Sequence, residues 1–513
     1  MDVLRTLRSR LLAFSVEGGS LAAVAAVVLV ASVAWPRAAT AQATGAAKTF
    51  IDYFQPTPIT SCGLTTSTWG CTATGSTPQY CVAGSGVVPR DTCNGIESPT
   101  NPPGYYYWDG TLIHAADGTY HLFADRWPGS EGFSSWGNSD PIHATGGTNP
   151  LGPFTDQGYA YSNGSFGSDP HHGHNSQVVT LLDGTYGLIV SEVVPFTVFT
   201  ASSLDGPWTP CSGSPGAGLS VPGGGFGGNT NYASNVSLVV RPDKNFEITQ
   251  RHGLIALSTN GICGPYTAQQ PTNTYPSSEA IPAASSASIY PNRQKHSDPN
   301  GPSTVESTYT LAEDPVIWFS GGQYHVLYDY PDDRVGYHLT SSDGIHDWTD
   351  QGLAYDPRDA AQIFSYTDGT VDHWYKMERP NVLLENGHIT HVTFAVSDVD
   401  KNMDIQANSD HGSKVIVIPF DGASMDCDLN PTQCSQAADG GAAGGSIGTA
   451  DAGAAGAGGT SGAGGAHSAG TGGASAGGGG MSGSNGGITG HGGFSGTGGA
   501  AGAAGSSSDG GAS

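Results

Sequence analysis

Short apolar runs of β-branched and aromatic residues recur along the middle of this chain, each ending in a turn and followed by a second aromatic-rich run. The turns read DGTY at Asp117, DGTY at Asp183, DKNF at Asp243, GGQY at Gly321 and NGHI at Asn386. The runs before them are WDGTLIHA from Trp108, HNSQVVTL from His174, SNVSLVV from Ser234, EDPVIWF from Glu313 and ERPNVLL from Glu378. Short runs bounded by turn signals predict buried strands rather than helices. A period of roughly sixty to eighty residues with several strands per unit predicts a repeat fold, because one such unit cannot bury its apolar faces alone. The pattern predicts an all-β fold, a five-bladed β-propeller. A second shared signal, GPF at Gly152, GPW at Gly206, GPY at Gly264 and Asp347-Trp348 in the fourth repeat, places aromatic rings where they pack between blades.

The two ends lack this pattern. Arg5, Arg8 and Arg10 precede an uncharged apolar run from Leu21 to Trp35, and Ala39-Thr40-Ala41 supplies small residues for cleavage, so residues 1–41 read as a secretory signal. An uncleaved anchor is the alternative, although the run is shorter than the ~20 residues that span a bilayer. No cysteine follows it to carry a lipid. From 435 to 513 the chain is almost entirely Gly, Ala, Ser and Thr, which cannot offset the entropy of ordering it, and reads as a disordered tail. Random-coil scaling gives that tail a reach of roughly 50 Å. The expected organisation is therefore signal 1–41, a loop-rich, Cys-containing N-terminal segment 42–100, propeller 101–434 and tail 435–513. The expected location is secreted or at the cell surface.

Charge narrows the partners. The chain has 18 basic and 44 acidic residues, a net −26; without the signal's four Arg, one Asp and one Glu it is −28. Such a surface repels phosphate backbones and anionic lipid, which disfavours nucleic acid and membrane partners and suits a neutral substrate. The eight cysteines of an exported chain read as disulfides, with no CxxC pair to suggest zinc. Cys62, Cys71, Cys81 and Cys93 sit together in the N-terminal segment and allow three pairings. Cys211 and Cys263 stand in neighbouring repeats, where they can bridge two blades, and Cys427 and Cys434 can close the end of the domain.

In a propeller the first strand of each blade lines the central channel, so residues at its start gather at one end. Aligned on the turns, those places hold Asp109, Asn175, Asn235, Asp314 and Arg379, each preceded by Trp108, His174, Ser234, Glu313 and Glu378. Polar residues heading apolar strands from five directions predict a common pocket. The plainer reading is local: Asp and Asn at strand starts often bond to nearby backbone, and Glu378-Arg379 can form a structural ion pair. The cluster His171, His172 and His174 invites a metal, but no acidic partner follows at ligand spacing.

The motifs WDGTLIHAADGTYHLF, HNSQVVTLLDGTY, EDPVIWFSGGQYHVLY, SSDGIHDW and KMERPNVLLENG, spanning Tyr105 to Asp400, resemble the five-bladed propeller glycosidases of glycoside hydrolase families 43 and 117. The resemblance implies cleavage of glycosidic bonds in plant or algal poly- and oligosaccharides. It places the family 43 base at Asp109. The other two family carboxylates open the second and third blades, where this chain has Asn175 and Asn235, and an amide cannot donate a proton as a general acid does. The acid is then sought among Glu378, Asp314 and Glu313, with His174 as the family 117 counterpart. Glu378 is the first choice, provided burial outweighs any pairing with Arg379. Asp109, Asp314 and Glu378 are thus the expected catalytic groups, and Trp108, His174, Asn175, Asn235, Glu313 and Arg379 the expected substrate contacts. Trp108 and Tyr105, Tyr106 and Tyr107 offer rings for a sugar or for the core. An inverting pair stands ~6.5–9.5 Å apart and a retaining pair ~5–5.5 Å. No cofactor is expected; relatives suggest calcium on the axis.

SSDGIHDW at Ser341 resembles the Asp-box turn of sialidase-like propellers, a structural element away from the active site. Asn163 and Asn235 fit the glycosylation pattern, but neither is expected to carry a glycan. Two other functions compete with hydrolysis: a non-catalytic propeller that binds glycans at a cell surface, and a protein scaffold with an exposed apolar patch and no sugar-sized pocket.

Overall fold

A computed structural model describes residues 47–66, 87, 89–100, 103–162, 171–191, 197–211, 235–269, 289–290, 312–330, 334–399, 411–432 and 434. The expected signal and tail, Cys71, Cys81 and Asn163 lie outside them.

The strands form five four-stranded antiparallel sheets. Blade 1 runs Tyr105–His114, Tyr120–Pro128, Asp140–Thr145 and Thr155–Tyr159. Blade 2 runs His174–Thr180, Tyr186–Ser191, Thr197–Ala201 and Thr209–Pro210. Blade 3 runs Ser237–Val240, Phe246–Gln250, Leu254–Ser258 and Thr267–Ala268. Blade 4 runs Glu313–Ser320, Gln323–Tyr330, Val335–Ser341 and Thr349–Tyr355. Blade 5 runs Lys376–Glu385, His388–Ser397 and Ser413–Pro419, and its outermost strand is Ile96–Glu97 from far earlier in the chain. This is the expected five-bladed propeller.

The ring closes through that last pairing. Ile96 stands opposite Val415 and Glu97 opposite Lys414. The short helix Phe50–Tyr53 adds Phe50, Ile51 and Tyr53 to the apolar cluster between blades 4 and 5, with Phe50 stacked on Phe420 at 4.3 Å. Of the segment before residue 101, Phe50–Tyr53 thus packs on the ring and Ile96–Glu97 pairs with its fifth blade. Of the expected bridges, Cys62 joins Cys93; Cys211 joins Cys263 across blades 2 and 3, and Cys427 joins Cys434.

Each seam between blades has its own apolar filling. Phe123 and Ile113 of blade 1 meet Leu188, Val190 and Phe199 of blade 2. Ile189 and Val198 meet Leu238 and Ile248 of blade 3, and Val239 and Ile255 meet Ile317, Val326 and Leu339 of blade 4. Leu383, Val415 and Val417 of blade 5 meet Leu112 and Leu122 of blade 1. Strands buried on both faces have no polar face to show water, which explains their near-continuous apolar runs. The GP-aromatic endings supply Phe154, Trp208 and Tyr266 to these seams as expected, with Trp208 edge-on to Phe123 of the neighbouring blade at 5.8 Å. SSDGIHDW folds as an Asp-box turn: Asp343 Oδ1 accepts from the Ile345 and His346 amides at 2.8 and 2.7 Å. Among the described residues no helix is long and apolar enough to cross a membrane.

Candidate active site on the propeller axis

The five residues aligned from sequence share one backbone state. Asp109, Asn175, Asn235, Asp314 and Arg379 have φ of 56°, 59°, 52°, 54° and 55°, all left-handed. In blades 1, 2, 4 and 5 the pairing slips at this place: Trp108 faces Asp125 and Thr111 faces Phe123, leaving Asp109 and Gly110 opposite one residue, and the same bulge recurs at Asn175, Asp314 and Arg379. A bulge re-aims a side chain out of the strand's alternation. Asp and Asn tolerate the left-handed region better than most residues, which accounts for four of the five. Pro315 and Pro380 follow their ring residue at the bulge, where a missing amide proton breaks no ladder bond.

Repeated around the axis, this turn aims the five side chains at one another. Arg379 donates from Nε to Asp109 Oδ1 and from Nη1 to Asp314 Oδ1, tying blade 5 to blades 1 and 4. Asn235 Nδ2 donates to the same Asp314 oxygen, and the backbone N–H of Asn175 donates to Asp109 Oδ2 at 3.1 Å. First-strand residues of all five blades line a cavity of about 20 Å³ here, room for about one water. Beneath it the blades are laced by further bonds: Leu238 N to Gln177 Oε1 at 2.7 Å, Ile317 N to Ser237 Oγ at 3.1 Å and Asn381 Nδ2 to Thr111 Oγ1 at 3.1 Å.

Beside the ring lie two carboxyl clusters. In the first, His174 Nδ1 lies 3.6 Å from Asp109 Oδ2, 3.5 Å from Asp125 Oδ2 and 2.8 Å from Ser139 Oγ. Burial works to raise the Asp109 carboxyl, but the Arg379 guanidinium and His174 together hold it well below the usual carboxylate range. Asp125 goes the other way: burial, then the neighbouring Asp109 charge, push it well above that range. In the second, Asp329 is pushed well up by burial and then by Asp314, Glu378 and Glu313. Glu378 accepts from Lys376 Nζ at 2.6 Å, and Glu313 pairs with Arg251 at 2.9 Å. Carboxyls driven in opposite directions side by side are the arrangement from which an acid and a base can be drawn.

Most of the expected site residues meet, with three changes. Trp108 has no exposed surface; it packs with Tyr106, Trp127 and Phe133, so its ring is core and not a sugar platform. Of the tyrosines, Tyr106 and Tyr107 are also buried and Tyr105 alone is exposed. Arg379 pairs with Asp109 and Asp314 instead of Glu378, whose cation is Lys376. His174 has acidic neighbours in space that spacing along the chain did not reveal, while His171 stacks on Tyr159 at 3.8 Å. Asn235 is buried in the ring, out of reach of glycosylation.

Sequence reasoning missed Asp125, Asp329, Lys376, Ser139 and Trp136, the last half-buried and 5.4 Å from the His174 ring. A signal for the first two was present: each falls eight residues after the first residue of its turn, Asp117 to Asp125 and Gly321 to Asp329, opposite the residue that precedes the ring.

Donor atoms of Asp109, Asp125 and His174, and of Glu313, Asp314 and Asp329, lie close enough to consider an ion. Calcium takes six to eight oxygens; here Arg379 already occupies Asp109 and Asp314, so the axial residues do not fit it.

No protein-family profile matches the sequence, and no curated protein matches it. Solved structures similar in outline include a family 117 glycoside hydrolase produced by the marine bacterium Zobellia galactanivorans (12% identity, 64% of this chain and 88% of that one, TM-score 0.38). Others are the GH43_1 enzyme from Xanthomonas citri complexed with xylose (10%, 64% and 90%, TM-score 0.37) and the endo-arabinase from Bacteroides thetaiotaomicron (11%, 62% and 94%, TM-score 0.37).

Proposed function

We propose that this propeller hydrolyses glycosidic bonds in neutral plant- or algal-type oligo- or polysaccharides at the axial ring, and that it does so outside the cell. The observation that supports this most is the left-handed ring itself, which aims Asp109 and Asp314 at one guanidinium with proton-holding carboxyls beside them. Asp109, kept ionised, is the base that activates water. Glu378 is the acid that protonates the leaving oxygen; its neighbour Asp329 is kept protonated by burial and by the carboxyls around it, and Lys376, paired with Glu378, sets its orientation. Asp314 and Arg379 position the sugar hydroxyls, with Asn175, Asn235 and His174 as further polar contacts and Glu313 at the edge of the site.

The test is turnover of purified protein on arabinan, xylan, galactan and agar-type oligosaccharides. Asp109→Asn and Glu378→Gln each lower kcat by about 10²–10⁴ while binding persists; unchanged turnover in both removes the assignment.

A second reading, glycan binding without hydrolysis, draws support from the amides at Asn175 and Asn235 and from an axis already filled by ion pairs, with only about 20 Å³ left. It predicts saturable binding of one of these glycans with no reducing ends released.

A further inference from the structure

The axial cavity has a volume of about 20 Å³, whereas a cleft of about 630 Å³ opens in the outer part of the seam where blade 5 meets blade 1. One wall is Pro153 to Asp156, leading into the fourth strand of blade 1, with Tyr107 from that blade's first strand; the other is formed around Ile96–Glu97, the strand that completes blade 5. Small-molecule sites span about 300–1,000 Å³, so this cleft has the room that the axis lacks. We propose that it is a carbohydrate-binding site separate from the axis, which takes an uncharged sugar unit of a glycan chain, with Asp156 accepting from its hydroxyls and the exposed rings of Tyr105 and Tyr159 as contacts beside it. Only its class of ligand rests on the carbohydrate reading of the axis.

Charge and surface select that class. Each charge lining the cleft is paired within the protein, Arg90 with Glu97 at 3.0 Å and Asp156 with Arg126, so a charged ligand finds no free counter-charge there. The surface left over is hydroxyl and apolar: Thr92, Thr100 and Thr155 are exposed, and Pro99, Pro153 and Phe154 stand with them. A sugar ring presents the same mixture, hydroxyls around its edge and C–H groups on its face.

Asp156 is fixed in place. Its Oδ2 accepts from Tyr107 Oη at 2.9 Å and from Arg126, and its Oδ1 accepts from the backbone N–H of Gly158 at 2.8 Å. A carboxylate has about four acceptor sites, so these three bonds leave one for a ligand hydroxyl. Among the described residues, the large aromatic side chains that stay exposed are Tyr105 and Tyr159, at 40% and 49%. Both stand on the guanidinium that holds Asp156: Arg126 lies 4.4 Å from the Tyr105 ring and 5.6 Å from that of Tyr159. Tyr105 is two residues from Tyr107, hence on the same face of the strand, with the ring centroids 6.4 Å apart. His171, stacked on Tyr159 at 3.8 Å, holds that ring before a ligand arrives.

Blade 4 provides an internal control. TDQGYAY at Thr155 recurs there as TDQGLAY at Thr349, and Asp350 Oδ1 accepts from the Gly352 N–H at 2.9 Å as Asp156 does from Gly158. The one difference is Leu353 in the place of Tyr159. Leu353 packs, partly buried, against the cluster that contains Phe50 and Ile51 of the short N-terminal helix, while Tyr159 stays half exposed. The shared residues therefore build the strand, and the tyrosine belongs to the blade with the cleft.

The test is calorimetric binding of arabinan, xylan, galactan and agar-type oligosaccharides to the full chain carrying Asp109→Asn and Glu378→Gln, which keeps the ligands intact, with turnover by the parent protein measured in parallel. At least one of these glycans binds, adding Tyr105→Ala and Tyr159→Ala weakens that binding about tenfold or more, and hydrogen exchange shows the glycan protecting the amides of Thr155–Tyr159. Both tyrosines are exposed, so their removal spares the core. No glycan binding, unchanged affinity in the tyrosine variant, or no protection of Thr155–Tyr159 overturns the proposal whether or not the parent turns substrate over; equal binding of polygalacturonate overturns the uncharged class. Protection at the cleft without turnover upholds this site and removes hydrolysis at the axis.

Discussion

At the scale of the residue, five side chains at one register are turned by a left-handed backbone that most residues avoid at about 1–2 kcal/mol. Asn175 carries this cheaply, and glycine would carry it with no steric penalty. Asn175→Val is therefore expected to lower unfolding free energy by about 1–2 kcal/mol more than Asn175→Gly; equal losses in urea titrations would contradict the backbone argument. Asp109→Asn keeps a residue suited to the turn, so its effect is chemical. The ring was legible because each member heads an apolar run at a fixed distance from a turn. Asp125 and Asp329 were harder to see, since each lies inside an apolar strand, in ADRW and in YDY, where only pairing across the sheet reveals what it faces. Trp108 misled for the opposite reason: its place beside Asp109 is the same in the chain whether the ring points into the channel or into the core.

Elements matter here mainly through their seams. Leu339 on the third strand of blade 4 is fully buried between blades 3 and 4, and Leu339→Ala is expected to cost about 2–5 kcal/mol in chemical denaturation. Gly110 shows how tightly the first blade meets the fifth: an added Cβ would come within 2.4 Å of Val415 Cγ1, at a φ of 144° that strains any side chain. Gly110→Ala should therefore destabilise the closure and, through the bulge it shares with Asp109, lower turnover as well. The strand Ile96–Glu97 left no readable pattern. Two residues have no period, and the partner that makes them a strand lies more than three hundred residues away.

For the whole molecule, buried titratable groups set opposing pH slopes. Burial pushes Asp372 up to about 7, so its folded form keeps a proton that the unfolded chain releases; its contribution is full at acid pH and is lost as pH rises toward 7. Burial pushes His325 down to about 3 and His391 to about 4, so these contribute fully above the ordinary histidine value and lose it as pH falls through about 4 for His391 and about 3 for His325. With two histidines set against one carboxyl, the slopes balance at about pH 6.5–7, where stability is greatest. A Tm profile checks this, and Asp372→Asn should flatten its alkaline side. The pairing of Ile96–Glu97 with Ser413–Pro419 also bears on biosynthesis. While the ribosome is still making the fifth blade, the earlier ones form an open arc whose two end blades leave their apolar faces uncovered, a hazard for sticking to other nascent chains. The circle locks only when residue 419 has emerged, so translation pauses before that point should leave aggregates, and pauses after it should leave finished rings.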